Sequence, residues 1–75
     1  MSDTYNGWAN YQTWNIALWI QNEEGIYQWA EGYREHGYKS FAHMIEEVLP
    51  LTPDGVSWKD PSLDIEELDE MMAEL

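Results

Sequence analysis

The chain has 75 residues, of which 44% are hydrophobic and eleven are aromatic (five Trp, five Tyr and one Phe), and it contains no cysteine. Fifteen acidic residues against three basic ones, Arg34, Lys39 and Lys59, give a net charge of −12; this disfavours direct binding to nucleic acid or to an anionic membrane and makes basic proteins the natural partners. Disulfides, thiolate metal sites and a thiol nucleophile are excluded, and the length suits one small core filled by rings that each bury roughly 150–250 Å².

Residues 1–10, rich in Ser, Asp, Thr, Asn and Gly, read as an irregular lead-in with a turn at Asn6-Gly7 and an anchor at Trp8. The opening Met-Ser-Asp-Thr has neither the basic segment nor the apolar run of a secretory signal. The longest apolar run, Ile16 to Ile20, falls far short of the ~20 residues that span a bilayer. A soluble, cytoplasmic protein is expected.

Tyr11, Trp14, Ala17 and Leu18 recur at helical spacing, and Ile16, Trp19 and Ile20 widen the apolar sector, so a central buried helix is predicted over Tyr11 to Gln21. A buried strand over Trp14 to Ile20 is the alternative, because a short apolar run does not separate the two. Asn22 is placed to cap a second helix that begins with Glu23 and Glu24, buries Ile26, Trp29, Ala30 and Tyr33, and runs to about His36 before Gly37.

Ser40 is the expected cap of a third helix, with Phe41, Met44, Ile45 and Val48 facing inward and Pro50 ending it. Thr52-Pro53-Asp54-Gly55 reads as a turn, and Val56 to Lys59 as briefly extended. A last helix should start after Asp60-Pro61 or at Asp64, with Leu68, Met71, Met72 and Leu75 along its apolar edge. The expected fold is all-α: a compact three- to four-helix single domain over residues 1–75.

Residues 54 to 75 hold eight of the fifteen acids and only one base, Lys59. Glu66, Glu70 and Glu74 are four apart, about 6 Å from one to the next along a helix, and Glu67 broadens the stripe. Phosphates along a DNA strand are spaced on a similar scale, so this rod has the layout of a nucleic-acid mimic. A solvated face that keeps an aromatic-rich protein soluble is the plainer reading. The candidate partner-binding residues are Glu66, Glu67, Asp69, Glu70 and Glu74, with Trp58 as a hydrophobic anchor. Trp14, Trp29, Tyr33 and Phe41 are expected in the core, whereas Tyr5, Trp8, Trp19, Tyr38 and Trp58 fit it less well and are candidates for interface anchors.

His43 and Glu47 lie four apart, but without a paired Glu-x-x-His motif no metal site and no cofactor is expected. Ser40 and Ser57 lack a nucleophile-elbow context and no glycine-rich phosphate loop is present, so an enzyme is not expected either.

The run Asn6-Gly7-Trp8-Ala9-Asn10-Tyr11-Gln12-Thr13-Trp14-Asn15, continuing through Leu18-Trp19-Ile20 and Asn22-Glu23-Glu24-Gly25, resembles a family of small uncharacterised domains carried by bacteriophages, plasmids and some bacterial and archaeal genomes. The motif covers about a quarter of the chain. The resemblance implies a domain of unknown function, and for a small acidic protein of a mobile element it implies an inhibitor of a host enzyme. Read as architecture, Asn10 caps the first helix, Thr13 and Asn15 bond to nearby backbone, and Trp8 folds over Trp14.

Together these readings point to an acidic protein-binding module that occupies a basic site on a nucleic-acid-handling host protein, as an inhibitor or DNA mimic. The alternative is a small assembly protein that self-associates through exposed aromatic residues and Met71 and Met72. The sequence leaves the oligomeric state open.

Overall fold

Asn10 starts the first helix. Its backbone is extended (φ −161°, ψ 176°), and its side-chain oxygen accepts the Thr13 N–H at 2.8 Å, pairing one of the donors that a helix start leaves free. The computed structural model describes residues 5–75, over which four helices follow in order: α1 (Tyr11–Asn22), α2 (Glu24–Gly32), α3 (Tyr38–Val48) and α4 (Ile65–Ala73). The first four positions of the expected lead-in, Met1 to Thr4, lie outside the described residues. Residues 14–20 are helical rather than extended, with Ile16, Ala17 and Ile20 buried on one side. The all-α single domain is observed with the larger of the two expected helix counts.

The helix ends depart from expectation where a cap comes from a residue other than the one predicted. Asn22 closes α1, donating to the Leu18 carbonyl at 2.9 Å, and the adjacent Glu23 caps α2 by accepting the Gly25 N–H at 2.8 Å. α2 ends at Gly32 rather than near His36. The chain then turns through residues 33–36, with the N–H groups of His36 and Gly37 both donating to the Tyr33 carbonyl. Ser40 does not cap α3, which begins two residues earlier, behind Gly37 at φ 92°. Gly37 has no side chain to offer its neighbours; instead Asp69 of α4 accepts the Tyr38 N–H at 2.6 Å. One helix thereby caps another.

After α3 the chain turns at Pro50. The Thr52–Gly55 turn forms as predicted, closed by Gly55 N–H donating to the Thr52 carbonyl at 2.8 Å with Gly55 at φ 87°, where a side chain would be strained. The extended stretch is a single antiparallel bridge, Leu51 to Ser57. Asp64, one of the two predicted starts, caps α4 by accepting the Glu67 N–H at 3.2 Å.

The core is centred on three rings. Trp58 is 0% exposed, and Phe41 meets it edge-on at 5.8 Å. The Tyr38 hydroxyl donates to the Trp58 carbonyl at 2.6 Å. Burial pushes the Tyr38 phenol far above its ordinary pKa, so it stays a hydrogen-bond donor throughout the accessible pH range. Leu68, Met71 and Met72 close the core from α4, and Ile26 and Ala30 from α2. The expectations for four residues are reversed here: Tyr38 and Trp58 are core residues, whereas Trp29 on α2 and Val48 at the end of α3, both expected inside, are 41% and 63% exposed. Helical spacing marks an apolar sector, and the α2 sector is wider than the face its neighbours cover.

Candidate partner-binding surface

The polar residues of the N-terminal motif hold the 52–64 segment, and through it α4, against α1. Buried Asn15 donates to Asp54 Oδ2 at 2.8 Å and accepts the Thr52 hydroxyl at 2.8 Å; the Trp19 indole N–H also reaches Asp54 Oδ2, at 3.0 Å. Nearer the start of α1, Asn10 donates to the Ser62 carbonyl at 2.5 Å, and the Thr13 hydroxyl accepts the Asp64 N–H at 3.0 Å. Asn10 caps α1 as expected. Asn15, however, bonds to distant residues rather than to nearby backbone, and the Thr13 hydroxyl donates to the Asn10 side chain at 2.7 Å while accepting from distant Asp64. The ring packed on Trp14 is that of Tyr5, at 5.0 Å, with Tyr11 completing the cluster at 5.4 and 5.7 Å.

Asp54 is held below the ordinary aspartate pKa by the Asn15 and Trp19 hydrogen bonds, and Asp60 likewise by the Ser62 side chain and backbone. Both carboxylates therefore act as anchored acceptors. The segment between α3 and α4 is thus fixed by hydrogen bonds from the start and body of α1 and by its own Asp60–Ser62 turn.

So mounted, α4 presents its acids on two sides. Glu66, Glu70 and Glu74 are exposed and lie along one edge, with half-buried Glu67 beside them. Glu67 Oε1 accepts the Ala9 N–H at 2.7 Å, which brings the lead-in against the helix. Between the two runs a groove of about 390 Å³, lined by Trp8 and Met71 together with Glu67, Glu70 and Glu74. Asp69 does not join this group: its carboxylate turns to α3 and the Tyr38 N–H. Of the three cations, Arg34 donates to the Leu75 carbonyl at 2.9 Å, just beyond α4, where positive charge suits the negative end of the helix dipole.

Trp58 is corrected outright as a surface anchor, because its whole side chain is enclosed between Phe41, Tyr38 and the helices around them. Met72 is fully buried and Met71, 7% exposed, lines the groove, so the pair does not form the alternative self-association surface. Among the described residues, the large apolar ones that are exposed are Tyr5, Tyr11, Trp29, Val48 and Leu51. Trp8, one of the aromatics offered by the sequence as candidate interface anchors, lines the groove as well as anchoring the lead-in. No local pattern pairs Trp8 with residues some sixty positions away. Among the described residues no group of three or more His, Asp or Glu side chains is placed to hold a metal ion. His43 is instead engaged at Nδ1 by the Lys59 ammonium at 3.2 Å.

Taken together, these features define a small all-α domain with an acid-edged groove on its last helix. The chain belongs to a family described as "Family of unknown function (DUF7249)", whose model matches residues 1–75. No curated protein and no solved structure matches it. None of the described helices is long and apolar enough to cross a membrane.

Proposed function

We propose that the protein is a binding module that receives a basic segment of another protein in the groove between its lead-in and α4. The observation that carries this reading is the pairing of three carboxylates, Glu67, Glu70 and Glu74, with the apolar walls of Trp8 and Met71 around one opening. An arginine or lysine side chain has the matching chemistry. Its aliphatic stem lies on Met71, its cation faces the carboxylates, and a guanidinium stacks on the Trp8 indole. Glu66 extends the negative edge outward, and the net charge of −12 steers basic surfaces toward it.

Basic side chains in series are what nucleic-acid-handling proteins present to phosphates. The partner proposed is therefore such a protein of the host cell, and the module acts inside that cell as a decoy for nucleic acid, an inhibitor of the kind small mobile elements carry. Glu66, Glu70 and Glu74, about 6 Å apart along the helix, reproduce a row of charges on the scale of a phosphate backbone. No catalytic step and no cofactor enters this proposal.

The test compares the wild-type chain with Glu66→Gln/Glu70→Gln/Glu74→Gln. This triple variant leaves every hydrogen bond named above in place. Nucleic-acid-binding proteins captured from host lysate should bind the wild type and be displaced by added duplex DNA. Their affinity should fall steeply as salt is raised about tenfold, and the triple variant should lose them while keeping its helical circular-dichroism spectrum. Binding that ignores both salt and the three substitutions ends the proposal. If the wild type instead forms a stable dimer in low salt through Tyr5, Tyr11 and Trp29, the self-association reading takes its place.

A further inference from the structure

Two of the three cations of this acidic chain, Lys39 and Lys59, line one cavity of about 460 Å³. The buried residues of its wall are Tyr38, Ala42, Trp58 and Leu63; Lys39, His43 and Lys59 are exposed beside it. Its size falls within the range of small-molecule sites, which pair apolar walls with a few placed polar groups. Lys59 is fixed by Glu46 at 2.8 Å and by His43 Nδ1 at 3.2 Å, whereas Lys39 has no ion pair among the described residues. The Trp58 indole N–H, on a side chain that forms part of the wall, is buried without any hydrogen-bond partner. Folded proteins rarely leave such a donor unpaired.

The geometry points to a binding site for a small amphipathic anion: a flat aromatic or short aliphatic body against Pro61, Leu63 and Ile65, and a carboxylate or sulfonate at Lys39. Asp60 shares the lining and Glu46 holds Lys59, so the positive charge left for a ligand at this mouth is that of Lys39. Lys39 is the principal contact because it is uncommitted. Lys59 contributes to the extent that Glu46 releases it. The Trp58 side chain lies beneath this wall, so its indole N–H reports occupancy of the cavity. This site is separate from the α4 groove, and either proposal can fail without the other.

The test uses the full chain labelled with ¹⁵N and two probes that share an apolar body: 8-anilinonaphthalene-1-sulfonate and the uncharged N-phenyl-1-naphthylamine. The sulfonate should shift the Trp58 indole N–H and the amides of Lys39 to His43 saturably, and the neutral analogue should bind roughly tenfold more weakly. Lys39→Gln should weaken the sulfonate by about tenfold and leave the neutral probe unchanged. Glu46→Gln should tighten the sulfonate several-fold by freeing Lys59, whereas Glu70→Gln, with the same change in net charge, should not. All three substitutions, the control included, are at the surface, so folding does not confound them. Shifts centred on Trp29 or Tyr5, equal binding of the two probes, or indifference to Lys39→Gln would each overturn the proposal. So would concentration-dependent shifts at the cavity in the absence of probe, which would mean that a second copy of the chain covers it.

Discussion

Asn15 is the residue on which the mounting of α4 depends most. It is fully buried, and both ends of its amide are used, one by Asp54 and the other by Thr52. Asn15→Ala leaves the buried Thr52 hydroxyl without its acceptor and should cost about 2–3 kcal/mol in urea unfolding. Asn15→Asp, almost the same shape, should cost at least as much because its charge faces Asp54. Asp54 itself gives a pH signature. Its folded pKa is depressed, so its contribution is fully present above the ordinary aspartate range and is lost as pH falls through the lower folded value. The Trp19 indole N–H resonance should therefore titrate below the pH at which a free aspartate does, and Asp54→Asn should abolish that step. The identities of Asn10, Thr13 and Asn15 were legible as hydrogen-bonding residues of the motif. Their partners were not, because Asp54, Ser62 and Asp64 are 39 to 52 positions away and no local rule links them.

Elements were read more securely than their ends. Hydrophobic spacing located all four helices, and Asn10, Gly55, Pro50 and Asp64 acted where their chemistry placed them. The start of α3 was missed because its cap is supplied by Asp69 from another helix. Asp69→Ala should lower stability by about 1 kcal/mol, and Asp69→Asn, which keeps an acceptor oxygen, should recover most of it. Amide exchange at Tyr38 would show the same order. The acidic stripe was legible as spacing, but its division was not. Glu66, Glu70 and Glu74 face outward, Glu67 gives one oxygen to the lead-in while lining the groove, and Asp69 is spent on the start of α3. Trp58 was misread because a lone Trp between turns has no periodic neighbours to reveal whether it points in or out.

At the scale of the molecule, the charge of −12 opposes compaction, and only one ion pair, Lys59 to Glu46, is present among the described residues. Added sodium chloride should therefore raise the unfolding free energy, measured by urea denaturation, by on the order of 1 kcal/mol between low salt and ~1 M. Partner binding through α4 should weaken over the same range, so stability and affinity should move in opposite directions. The three contacts that run from before or within the first turn of α1 to the region around the start of α4, Ala9 to Glu67, Asn10 to Ser62 and Thr13 to Asp64, have a further consequence. They clasp two stretches remote in sequence into a ring closed without a covalent bond. Neither stretch can unravel alone, because release of one strips the donors or acceptors of the other, and the domain is built to come apart all at once.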